Sequence, residues 1–198
     1  MCQVSFSSIR LNLCYNILMK TLFAAFGGRT NSSKALLDLI DCPPEDKLLL
    51  KNSFKSAPAA LNDKLSSDAY GLAILFGQRK ILRDKQKTNQ TDKTLAALRL
   101  ETVARNNRVA YHTEVNFPEL VERLTAAGLD PIISKDAGRY LCNNLYFQAL
   151  KYADEKPLRT KILFIHIPKL RQNPDLDKIA TALAASLDDK LLLDPNYN

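Results

Sequence analysis

Metal chemistry has little to work with in this sequence. Imidazole comes only from His112 and His166, and the four cysteines, Cys2, Cys14, Cys42 and Cys142, are widely spaced with no CxxC pair. A zinc site needs about four ligands, usually including such a close pair, so no metal is expected. Cysteine this sparse does not make a disulfide scaffold; free thiols in a reducing, cytoplasmic compartment fit better. No apolar run reaches the length of a membrane span, and no internal repeat or low-complexity tract interrupts the chain. What remains is ordinary globular material: 198 residues, 46% apolar and 25% charged. That length suits a single domain with a substantial core.

The net charge is +7. It would permit a nucleic-acid partner, but the charge is gathered rather than spread. Arg79, Lys80, Arg83, Lys85, Lys87 and Lys93 stand close together against Asp84 and Asp92. This is the pattern of one basic loop, either solvated or a phosphate-binding patch, and not of a basic face interleaved with aromatics. Neither nucleic acid nor membrane is expected as a partner. Residues 1–18 carry Arg10 as their single charge and have patchy apolar content, unlike a secretory signal. They are expected to form a disordered or extraneous extension, with Met19 the candidate start and residues 19–198 a single domain.

Short apolar runs alternate with amphipathic stretches. Strands are expected at residues 17–23, 48–50, 69–76, 131–134 and 161–167. Residues 24–31 read as a Gly-containing loop, and Gly77 as the end of the third strand. Helices are expected at 32–40, with Asn31 or Ser32 as N-cap, and at 53–65, 117–127, 138–152 and 175–186. Gly128 ends the helix before it. Such alternation implies an α/β fold: a mostly parallel twisted sheet with helices on both faces, an αβα sandwich. Ligands on these sheets bind beyond the carboxyl ends of the strands.

Three residues there carry chemistry. Cys142 lies where a Gly-containing turn enters a helix, and the positive end of the helix dipole favours thiolate. Main-chain N–H groups nearby could stabilise an oxyanion. A buried structural cysteine is the plain alternative. His166 ends the apolar run Ile162-Leu163-Phe164-Ile165-His166-Ile167, where packing has no need of imidazole; it is either a hydrogen-bonded core histidine or a base for the thiol. Glu101 is an isolated acid in a mostly apolar stretch. It either fixes the imidazole tautomer or is a surface acid paired with Arg99 or Arg105.

Together these segments resemble the pyroglutamyl peptidase I family. Its nucleophile motif is similar to S-x-x-A-G-x-x-x-C-N followed by an aromatic, and Ser134, Ala137, Gly138, Cys142, Asn143 and Tyr146 match it. Its histidine lies in an apolar strand before a proline, as His166 does before Pro168. Glu101, Ala104 and Asn106 match its glutamate segment. Thr21, Phe23, Phe26, Gly27, Gly28, Asn31 and Ser33 match its amino-terminal motif. The resemblance spans roughly residues 19–190.

It implies a cysteine peptidase that removes N-terminal pyroglutamate from peptides with no cofactor, through a Cys142–His166–Glu101 triad and a thioester. It further implies a lactam held between Phe23 and Phe26, with Gln78, Tyr140 and Leu141 also contacting substrate, and a homo-oligomer, often a tetramer. A flat neutral lactam suits apolar walls with a few main-chain hydrogen bonds.

The match has departures. Leu22 and Ala25 stand where the family has Gly and Pro, and Thr102 follows Glu101 in place of Arg. The basic stretch 79–93 replaces a compact Gly-rich turn with an arginine. Arg99, Arg105 and Arg108 are all candidates for the arginine near the oxyanion. The other reading is therefore a family-fold protein that binds a peptide or another partner with little or no turnover.

Overall fold

The computed structural model describes residues 20–79, 97–106, 108–156, 158–172 and 174–187. The strands are β1 (Thr21–Phe26), β2 (Lys47–Leu50), β3 (Leu72–Gln78), β4 (Arg99–Glu101), β5 (Val103–Arg105), β6 (Ala110–His112), β7 (Ile132–Ser134) and β8 (Lys161–Ile167). The helices are α1 (Ser32–Leu39), α2 (Ser56–Ser67), α3 (Phe117–Ala126), α4 (Leu141–Glu155) and α5 (Leu176–Ser186). Residues 1–19, which include the expected extension and Met19, lie outside the described residues, as do residues 80–96 of the basic stretch.

Six strands form one sheet in the order β2-β1-β3-β8-β4-β7. β1, β2, β3 and β8 run parallel, as do β4 and β7, and the two groups meet at the antiparallel β4–β8 pair. β5 and β6 form a separate antiparallel hairpin.

The central strands are buried along almost their whole length because both faces are covered, so they read as continuous apolar runs. Phe23, Ala25, Ile74, Phe76, Leu163 and Ile165 point to one face and pack with residues of α1, α3 and α5. Leu22, Ala24, Phe26, Leu75, Ile162 and Phe164 point to the other, against α2 and α4. Each Leu, Ile or Phe removed from water in this way contributes about 1.5–3 kcal/mol. The result is the three-layer α/β sandwich, with a mixed, mostly parallel sheet.

Caps set the helix ends. The Asn31 side chain accepts from the Ser33 N–H at 3.0 Å, which settles the α1 N-cap on Asn31. Asp175 caps α5 by accepting from the Lys178 N–H at 2.9 Å. Gly128 (φ 76°) takes the left-handed conformation that closes α3.

Two expected boundaries are corrected. β1 continues through Ala24, Ala25 and Phe26. These residues are small or apolar, are covered on both faces, and pair with β2 and β3. β3 likewise passes through Gly77, which pairs with His166, and ends at Gln78.

Candidate active site

The site begins as a row across the sheet. Gly77 and His166 are register partners on β3 and β8, about 4.8 Å apart as parallel neighbours are. Phe26 follows Ala25, whose partner is Phe76, so Phe26 stands level with Gly77. Side chains alternate between faces, and all three positions belong to the face covered by α4.

Cys142 comes down on this row from the first turn of α4. A methyl group built on Gly77 would lie 2.9 Å from Cys142 Sγ and 2.7 Å from Phe164 Cζ. Gly77 is therefore glycine because the thiol and the Phe164 ring edge occupy the space a side chain would take. The same Phe164 ring lies 5.0 Å, centroid to centroid, from the His166 imidazole. The thiol thus sits over Gly77, the register partner of His166.

His166 Nδ1 is 2.8 Å from Glu101 Oε1. Glu101 is fully buried and His166 only 8% exposed, so the surface-acid alternative for Glu101 does not hold. The antiparallel pairing explains the reach. Arg99 is opposite His166 and Glu101 is opposite Phe164 on the same ladder, which places the acid diagonally across from the base.

Two guanidinium groups balance the buried carboxylate. Arg99 Nε lies 3.8 Å from Glu101 Oε1, while Arg99 donates to Ser134 Oγ at 2.7 Å. Arg79 is buried. Its guanidinium holds its proton less firmly than usual because of that burial and the neighbouring Arg99 charge, and Glu101 opposes the shift. Among the described residues Glu101 Oε2 has no hydrogen-bond partner. The sequence groups Arg79 with a basic loop because its neighbours are basic, yet it lies inside, one residue beyond the end of a central strand.

The thiol departs from expectation. A place at the helix start suggested an easily formed thiolate, but burial pushes Cys142 up to about 12, and the Glu101 charge adds to the effect. Its own main-chain N–H opposes this weakly. Desolvation outweighs the dipole here, so the resting group is a thiol that needs a base.

Side chains of α4 tie the nucleophile's helix to its surroundings. Tyr146 donates to the Glu101 carbonyl at 2.8 Å. Asn143 accepts from the Arg105 N–H at 3.0 Å and donates to the Arg105 carbonyl at 2.7 Å, clamping β5 to the first turn of α4.

The remaining expected contacts separate. Phe26 and Leu141 lie in the cluster on the thiol's face, and Tyr140 is the α4 N-cap, 63% exposed. Phe23 does not join them. It points to the opposite face, stacked on Phe76 with centroids 6.3 Å apart, because residues three apart on a continuous strand face opposite ways. Gln78 points to that far face as well. Its Oε1 accepts from the Ser32 N–H at 3.0 Å, which fixes the start of α1.

Gly77 and Arg79 join the site without being expected there, and Asn143, part of the matched motif, proves to clamp the helix. An isolated glycine inside the bulky run Leu72-Ala73-Ile74-Leu75-Phe76-Gly77-Gln78 was the available signal for Gly77. The burial of Arg79 leaves no local trace.

The profile of the pyroglutamyl peptidase family matches residues 45–191. The chain belongs to this family, a family of cysteine peptidases. The pyrrolidone-carboxylate peptidase of Staphylococcus aureus (strain JH9) is 24% identical over 176 residues, covering 77% of this chain and 81% of that one. The pyrrolidone-carboxylate peptidase of Streptococcus suis (strain 05ZYH33) is 34% identical over 88 residues. In that match the chain spans 40% of the relative's length. The fold agrees with pyroglutamyl peptidase I from Bacillus amyloliquefaciens, with a TM-score of 0.68 at 20% identity over 89% of this chain and 96% of that one. Pyrrolidone carboxyl peptidase from Fervidobacterium islandicum AW-1 also gives 0.68 at 20% identity. Among the described residues no helix is long and apolar enough to cross a membrane.

Proposed function

We propose that this chain removes N-terminal pyroglutamate from peptides, with Cys142 as nucleophile, His166 as base and acid, and Glu101 as the group that orients His166. The observation that carries the reading is the buried 2.8 Å contact between Glu101 and His166 beside a thiol seated on Gly77. With Nδ1–H held by the carboxylate, Nε2 is the nitrogen left to accept a proton. It takes the Cys142 proton as sulfur adds to the carbonyl carbon that links pyroglutamate to the next residue. First-turn N–H groups of α4, which have no intrahelical partners, stabilise the oxyanion. As the tetrahedral intermediate collapses, the C–N bond breaks and His166 gives its proton to the departing amine, leaving a thioester. Water, deprotonated by His166, then adds to the thioester, and sulfur leaves as the thiol.

Phe26 and Leu141 supply the apolar wall for the lactam. Phe23 and Gln78 support it from behind the sheet, through the packing of β1 and the start of α1. The described cysteines, Cys42 and Cys142, are free thiols, which fits work in a reducing cytoplasm. Leu49 and Ile133, exposed on the two edge strands, fit assembly into a homo-oligomer.

Hydrolysis of a fluorogenic pyroglutamyl amide tests the reading. Wild type should release the fluorophore and Cys142→Ala should not. Full activity in Cys142→Ala would remove the mechanism. A folded wild type with no activity would leave the family-fold binding protein as the better account.

A further inference from the structure

A groove of about 970 Å³ runs along the outer side of the start of α4. Its floor is Tyr140, Asn143, Asn144, Phe147 and Gln148, whose spacing defines one helix face. Cys142 points the other way, down to Gly77. The proposed catalytic steps therefore use none of the side chains in this groove, though it opens on the thiol's own helical turn.

The walls have a definite chemistry. The hairpin contributes Arg105 and Arg108, and the turn before α4 contributes Lys135 and Arg139, against a single acid, Asp136. Asp136 is engaged locally, since its carboxylate accepts from the Gly138 N–H at 3.0 Å. Arg105 donates to the Lys135 carbonyl at 3.1 Å. Among the described residues Arg108, Lys135 and Arg139 form no ion pair. At one end Phe54 (51% exposed) and Tyr140 (63%) meet edge to face, 5.0 Å apart. Asn144 holds the Phe54 loop in place by donating to its carbonyl at 3.1 Å. Two large exposed aromatics beside unpaired cations form a surface suited to an extended acidic chain.

We propose that this groove binds the part of a peptide substrate beyond the scissile bond and favours acidic side chains there. The proposal rests on the reading of Cys142 as nucleophile. The distance sets where the preference begins. A helix is about 10 Å thick, and an extended chain advances about 3.3–3.6 Å per residue. A peptide leaving the thiol past Tyr140 therefore reaches the groove about three residues after the bond that is cut. A peptide is favoured over nucleic acid because the groove opens on the same helical turn as the proposed nucleophile.

The test compares pGlu-Ala-Ala-Glu-Glu-Ala amide with its isosteric Gln-Gln counterpart. Two exposed charge contacts should give the acidic peptide a roughly tenfold higher kcat/KM at low salt, mostly through KM. Screening at about 0.5 M NaCl should remove the difference. In the double variant Arg108→Ala/Arg139→Ala, with its melting temperature checked against wild type, the acidic-to-neutral ratio should fall close to one. Cleavage of both peptides at equal efficiency by wild type would overturn the proposal.

If neither peptide is cleaved, fluorescence anisotropy of the labelled peptides on Cys142→Ala separates the two ideas. Tighter binding of the acidic peptide, lost in the Arg108/Arg139 background, supports the groove while the cleavage reading fails. Equal binding overturns the groove, and so does stronger competition by a single-stranded oligonucleotide than by the acidic peptide itself.

Discussion

Gly77→Ala adds one methyl group where there is no room for it. That carbon would lie 2.7 Å from Phe164 Cζ and 2.9 Å from Cys142 Sγ, against an ordinary contact of about 3.5–4.0 Å. Both neighbours must retreat by about 1 Å. Phe164 is fully buried and packed against Tyr146, ring centroids 5.5 Å apart, so it has little freedom to do so. Overpacking of this kind costs about 1–3 kcal/mol. For a chain of this size that is a fall of roughly 2–12 °C in melting temperature. The thiol is the easier group to displace, and about 1 Å of misplacement at a nucleophile costs on the order of 10²-fold in rate. Fluorogenic pyroglutamyl-amide kinetics with a parallel thermal melt measure both effects. A folded Gly77→Ala enzyme with wild-type kcat/KM would show that the thiol does not work from its place above Gly77.

Two further outcomes test the charges. Glu101→Gln should slow turnover by roughly 10²–10⁴-fold, because the amide no longer enforces the tautomer or balances an imidazolium, and His166→Ala should be worse. Near-wild-type turnover in Glu101→Gln would reject its orienting role. The raised thiol pKa also predicts a pH effect on stability. The folded chain keeps the Cys142 proton up to about 12, whereas an unfolded thiol releases it near 9.0. Between those values the unfolded state binds fewer protons, so stability falls as pH rises. Wild type should therefore lose more melting temperature than Cys142→Ala from about pH 9 upward, and equal losses would contradict the burial of the thiol.

The parts of this site that local chemistry dictates were readable in the sequence. An imidazole closing a strand of Ile, Leu and Phe, and a cysteine entering a helix, are anomalies that packing alone does not explain. The layered fold followed from the alternation of apolar strands with amphipathic helices. What escaped depends on facing. Phe23 and Phe26 both look suitable for a lactam until β1 proves continuous, and then period two sends them to opposite sides of the sheet. Gln78 went the same way. Gly77 resembled a strand terminus because its use, room for a sulfur atom on a distant helix, involves a contact 65 residues away. Arg79 resembled its basic neighbours because burial just past the end of a strand is invisible in composition.

The two halves of the site hang from different supports. Glu101 and His166 are locked by main-chain ladders in the interior of the sheet, whereas Cys142 is held over them by the packing of α4 and by the side-chain bonds of Asn143, Asn144 and Tyr146. The acid–base pair therefore belongs to the part of the molecule slowest to open, and the nucleophile to a helix end that can loosen on its own. In evolution the same division lets a lineage lose its sulfur chemistry through changes in one helical turn. The sheet, its buried Glu101–His166 contact and the basic groove on the far side of α4 would remain, available for binding alone.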